Sequence, residues 1–91
     1  MSEQPRIHED ALHGIPPRDV TRILDKVEWL WQHRAEIIHH PLGENLSEFY
    51  KKRVGKYRII YSYDENPDDL VVRLVGTRDS IYQEATKKLT D

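Results

Sequence analysis

Two alternating runs, residues 49–54 and 57–63, meet at Gly55-Lys56. A glycine followed by one further residue is a two-residue hairpin signal, and flanking runs rich in Tyr, Val and Ile read as its paired strands. Successive side chains of a strand point to opposite faces, so fixing the turn fixes which residues share a face. Val54 then pairs with Tyr57, Arg53 with Arg58 and Lys51 with Ile60. A second turn, Asp64-Glu65-Asn66-Pro67-Asp68-Asp69, leads into Leu70–Val75, whose near-continuous apolar character suits a central strand covered on both faces.

Upstream, apolar residues fall at Val20, Ile23, Leu24, Val27, Leu30 and Trp31, the stripe of an amphipathic helix. Proline suits a first helical turn, where its missing N–H would have no intrahelical partner, so the helix is expected from near Pro17 to about His33. Trp29 and Trp31 are two apart and cannot share a face; Trp31 joins the stripe and Trp29 is expected half exposed. Ile7–Gly14 leaves room for a helical turn or two, with Ala11 and Leu12 as apolar contacts, and residues 2–6 make a poor strand. Ala35–Glu48 reads as an irregular connection anchored by Leu42 and Leu46. Beyond Gly76, Asp79 or Ser80 can cap a last helix presenting Ile81, Ala85 and Leu89. The expected fold is a single α+β domain over residues 1–91. It has a small antiparallel sheet of three to four strands, N-terminal helix or helices packed on it, and a short C-terminal helix. Helices are expected on one face and basic residues on the other.

The 91 residues allow one modest core. With no cysteine, disulfides, thiolate nucleophiles and cysteine-based zinc sites are excluded, which suits a reducing compartment. Met1-Ser2-Glu3-Gln4-Pro5 has neither the basic nor the apolar region of a secretion signal, and no apolar run approaches the roughly 20 residues of a membrane span. A cytoplasmic protein without a membrane partner is expected. His33, His39 and His40 come with no organised carboxylate pair, so neither metal nor cofactor is expected.

Charge is distributed unevenly. Residues 1–48 hold five Lys/Arg against nine Asp/Glu and residues 63–91 four against seven, whereas Phe49–Arg58 carries five cations and no acid. One positive island on an acidic body directs an anion such as nucleic-acid phosphate to one place. In the hairpin register Arg53 and Arg58 face each other with Lys51 on the same side, and like charges directly opposite on a sheet repel unless an anion lies between them.

The segment Pro41-Leu42-Gly43-Glu44-Asn45-Leu46-Ser47-Glu48-Phe49-Tyr50-Lys51-Lys52-Arg53-Val54-Gly55-Lys56-Tyr57-Arg58-Ile59-Ile60-Tyr61 resembles a pattern of the RelE-type toxins of prokaryotic type II toxin–antitoxin systems. Val75-Gly76-Thr77-Arg78-Asp79-Ser80-Ile81-Tyr82 is similar to the ending of that pattern, and the match spans about three-quarters of the chain. The resemblance implies a metal-independent endoribonuclease that enters the ribosomal A site and cleaves messenger RNA through the messenger's own 2′-hydroxyl. It also implies a cognate antitoxin held in a hetero-oligomer. The alternative within the same superfamily is a non-nucleolytic ParE-like gyrase poison, or a degenerate module that only binds its antitoxin.

Carried over residue by residue, the resemblance puts Lys51, Arg53, Arg58, Arg78 and Tyr82 in the active site. Arg58 and Arg78 would stabilise the transition state, because a guanidinium stays charged and bridges two phosphate oxygens. Tyr82 would stack on or orient a base. Lys52 and Lys56, within the same island, would hold RNA. Where some relatives carry a lysine proposed as general base, this chain has Arg53, which does not release a proton near neutral pH. Lys51 and His40 are the two base candidates; His40 directly precedes Pro41-Leu42, where some branches place a catalytic histidine or glutamate. The N-terminus departs from the family pattern, and a missing or frayed first strand would leave a sheet edge that another chain can occupy.

Overall fold

A computed structural model of the chain describes residues 4–8, 10–42, 48–63 and 70–77, together with Ile81, Gln83, Ala85 and Lys87. Five strands and one long helix are ordered β1 (Arg6–Ile7), α1 (Pro17–His33), β2 (His40–Pro41), β3 (Tyr50–Val54), β4 (Tyr57–Tyr63) and β5 (Leu70–Thr77). The strands form one sheet in the order β1-β5-β4-β3-β2.

The hairpin adopts the register its turn dictates, with Val54 opposite Tyr57, Arg53 opposite Arg58 and Lys51 opposite Ile60. Gly55 sits at φ +58°, in the left-handed region that costs a residue with a Cβ about 1–2 kcal/mol. A Cβ there would also lie 3.1 Å from Nη2 of Arg22, so the turn and α1 approach closely at this glycine.

Helix α1 begins at the expected proline and carries Asp19 in its first turn, where a carboxylate suits the positive end of the helix dipole. Ile23, Val27 and Leu30 are buried against Tyr57, Ile59, Tyr61, Leu70, Val72 and Val75 of the sheet. Each such aliphatic side chain contributes roughly 1.5–3 kcal/mol through the apolar surface it removes from water. Leu24 departs from the expected stripe and is 40% exposed, because it lies at the stripe's edge, beyond the width the sheet covers. Ala11 is buried beneath a turn in which its N–H bonds to the His8 carbonyl, while Trp29 and Trp31 pack half-buried at the margin of this core.

Three features differ from the sequence-based expectation. The sheet is mixed rather than purely antiparallel, because Arg6 and Ile7 pair parallel to Val71 and Val72 and supply the first strand that looked absent. His40 and Pro41, inside the supposed irregular connection, pair with Lys51 and Tyr50. Two-residue strands carry no alternation long enough to be read. Third, the helices do not share a face. Ile81 and Ala85, both helical, are buried with Phe49, Ile60 and Leu74 on the side of the sheet opposite α1. Gly76 makes that approach close: a Cβ on it would come within 3.0 Å of Ile81 Cδ1. No described helix is long and apolar enough to cross a membrane.

Candidate active site

Directly opposed residues on neighbouring strands project from the same face, with Cβ atoms about 4.5–5.5 Å apart. Register therefore builds two adjacent rows across the sheet. One runs His40, Lys51, Ile60, Leu74, and the next runs Arg53, Arg58, Gly76. His40, Lys51, Arg53 and Arg58 thus share the face opposite α1, while Ile60, Leu74 and Gly76 form the apolar floor on which Ile81 and Ala85 pack. Arg53 and His40 are exposed, whereas Lys51 and Arg58 are half-buried. One Arg58 nitrogen donates to the Tyr57 carbonyl at 3.3 Å. Arg78 and Tyr82, the remaining residues named from the resemblance, lie outside the described residues.

The two lysines assigned to RNA holding lie elsewhere. Lys52 alternates onto the α1 face, where its Nζ stands 4.9 Å above the Trp29 ring, sharing that ring with Lys26 at 4.8 Å. Lys56 is at the hairpin turn, 5.4 Å from the Tyr57 ring centroid. A basic run in a strand cannot all face one ligand, and alternation divides this one.

A further cation reaches the Arg58 side. Ile60 pairs with Leu74 and Tyr61 with Val72, so Arg73 is the extra residue of a β-bulge. Its Nε donates to Oγ of buried Ser62 at 3.1 Å, and Ser62 alternates onto the same face as Arg58 and Ile60. The available signal was a lone arginine within the apolar run Leu70–Val75; the bulge that aims it leaves no mark in the sequence.

Behind the sheet, His39 is locked where His40 is exposed. His39 Nε2 lies 2.8 Å from the Arg34 carbonyl, which can only accept, so this nitrogen carries the hydrogen. Nδ1 then accepts from the Tyr61 hydroxyl at 2.6 Å, and the Tyr63 hydroxyl stands 2.9 Å from Nε2. The Tyr50 ring packs on all three, with centroids 5.5, 5.7 and 6.0 Å away. Burial drives the Tyr61 phenol well above its ordinary range, and the neighbouring Tyr63 and Tyr50 add to the shift. Burial likewise pushes Tyr63 up to about 12, against an opposing contribution from Arg34.

These folded values exceed the ordinary phenol value, so the network's stabilisation is complete below about pH 10 and is lost as pH rises through the folded values. Urea unfolding midpoints should therefore hold steady to pH 10 and fall between pH 10 and 12. Tyr63→Phe should shrink the fall, and an unchanged fall in that variant would remove the network as its cause. On the hairpin's outer end, Tyr57 donates to Asp19 Oδ2 at 2.8 Å, and this bond raises its phenol.

Together the parts are a basic, partly open sheet face with an apolar floor, bearing an imidazole, an amine and guanidinium groups. The fold that carries this face is similar to that of solved RelE toxins. The fold matches that of a RelBE toxin–antitoxin complex from Mycobacterium tuberculosis at a TM-score of 0.70 and 25% identity, covering 82% of this chain and 90% of that one. The isolated E. coli RelE toxin superposes with a TM-score of 0.63 at 19% identity over 97% of this chain and 99% of that one. A RelB–RelE complex from Methanococcus jannaschii gives 0.60 at 21% identity, over 87% and 96%. The chain is accordingly RelE-like, with the α+β fold of that group. No protein-family model and no curated protein matches its sequence.

Proposed function

We propose that this chain is the toxin of a type II toxin–antitoxin system and acts as a metal-independent endoribonuclease on messenger RNA in the ribosomal A site. The observation that carries the reading is the register, which aligns His40 with Lys51 and sets Arg53 opposite Arg58 on one face. A base removes the 2′-hydroxyl proton, O2′ attacks the adjacent phosphorus, and the P–O5′ bond breaks as an acid protonates O5′. The products are a 2′,3′-cyclic phosphate and a 5′-hydroxyl. Charge grows on the phosphorane oxygens during attack, and fixed guanidinium groups stabilise that charge more than the ground state. Arg58 and Arg78 take that role, and Tyr82 orients a base.

The proton acceptor is His40 or Lys51, adjacent across β2 and β3. An antitoxin with acidic or amphipathic segments would neutralise the protein by covering the basic face or displacing the last helix.

Purified protein incubated with programmed ribosomes should yield messenger ends inside the A-site codon. Uncut messenger, with gyrase supercoiling inhibited instead, would assign the chain to the ParE-like alternative. In the same assay, pH–rate profiles separate the two bases. With the imidazole as base, His40→Ala should erase the rising limb of the profile. A limb retained in His40→Ala and lost in Lys51→Ala gives the role to the amine.

A further inference from the structure

An open cleft of about 510 Å³ lies where the first turns of α1 meet the hairpin turn, lined by Arg18, Asp19, Arg22, Lys56 and Tyr57. Arg18 and Arg22 are four residues apart, so they sit on one side of the helix, where like charges repel. Lys56 brings a third cation from the hairpin, and all three are exposed. The one acid, Asp19, has an oxygen engaged by the Tyr57 hydroxyl at 2.8 Å. Arg22 has room at the turn because Gly55 carries no side chain: its Nη2 lies 3.1 Å from where a Cβ would stand. Three cations from two elements around one engaged carboxylate make a concave site that favours an anion.

Its position says which anion. Tyr57 and Arg58 are consecutive on β4, so the cleft and the Arg53–Arg58 row lie on opposite sides of the same hairpin tip. We propose that the cleft is a second RNA-backbone site: it takes a phosphate of an RNA chain that passes round the hairpin tip from the Arg53–Arg58 row. This deepens the reading of the protein as an RNA-cleaving toxin and rests on it. The phosphate belongs either to the strand being cut or to neighbouring folded RNA, and the chemistry of recognition is the same for both.

The test measures binding of two RNAs blocked by 2′-O-methylation, so that neither can be cut: a single-stranded 12-mer and a stem-loop. Fluorescence anisotropy across a salt titration compares the full chain with its Arg18→Gln/Arg22→Gln/Lys56→Gln variant, after circular dichroism has matched their folds. Losing phosphate contacts should flatten the dependence of log affinity on log salt by about 0.7 per contact for the single strand and about 0.9 for the stem. Affinity at low salt should fall about tenfold. A change confined to the 12-mer assigns the site to the cut strand, and one confined to the stem-loop assigns it to folded RNA. Unchanged slopes on both RNAs overturn the proposal. So does a variant that loses only its binding of a glutamate-rich 12-residue peptide, which would assign the cleft to a protein partner. Because the probes cannot be cut, the outcome is independent of the ribosome assay. Messenger cut normally together with unchanged salt slopes removes the cleft alone, while messenger uncut by the unaltered chain removes the catalytic reading.

Discussion

Arg58→Ala is expected to slow messenger cleavage by about 10²–10³-fold, the usual consequence of removing one preorganised donor from a developing oxyanion. Stability should scarcely change, within about 0.5 kcal/mol, because Arg58 is half-buried and its removal also relieves the repulsion from Arg53 directly opposite. Single-turnover cleavage on programmed ribosomes and urea unfolding of the same preparation read the two quantities separately. Arg58→Lys should recover part of the rate, since an amine keeps the charge but cannot bridge two phosphate oxygens. Wild-type cleavage by Arg58→Ala would take the phosphate-holding role away from the hairpin face.

The largest stability effect is expected at Ile60. Its side chain is 0% exposed and packs with Phe49, Leu74, Ile81 and Ala85, where β4 and β5 meet the last helix. Ile60→Ala removes three carbons and leaves a cavity that a sheet on one side and a helix on the other can only partly collapse. It should cost about 2–5 kcal/mol. The urea midpoint should fall at constant slope, the signature of lost stability without a change in denatured-state compactness. Leu24→Ala, at a site already 40% exposed, is the control and should move the midpoint far less. Equal shifts in the two variants would show that the second cluster carries no special share of stability. Cleavage should weaken as well, because the helical segment bearing Ile81 and Ala85 packs through this cluster beside the Arg53–Arg58 row.

What could be read from the chain was what depends on neighbours along it. Gly55-Lys56 set the hairpin, and period-two alternation then placed Lys51, Arg53 and Arg58 on one face. The 3.6-residue stripe and Pro17 placed α1 from near Pro17 to about His33, and the helix spans Pro17–His33. The same alternation, followed consistently, also separates Lys52 from its neighbours, whereas counting charge alone kept the island together. In the sequence only the position of His40 directly before Pro41-Leu42 set it apart from His39. In the fold His39 is bonded to Tyr61 and the Arg34 carbonyl, while His40 stands exposed beside Lys51.

Sequence by itself thus determined the hairpin register, the main helix and the local excess of positive charge, because each rests on short-range sterics and hydrophobic periodicity. Tertiary structure alone decided the parallel pairing of Arg6–Ile7 with β5, the bulge that turns Arg73 toward Ser62, and the second apolar layer under Ile81 and Ala85. It also brought Arg18 and Arg22 to the hairpin turn. These depend on which distant segments meet, and the free energy of such meetings comes from burial and hydrogen bonds between residues far apart in the chain, which no local pattern encodes.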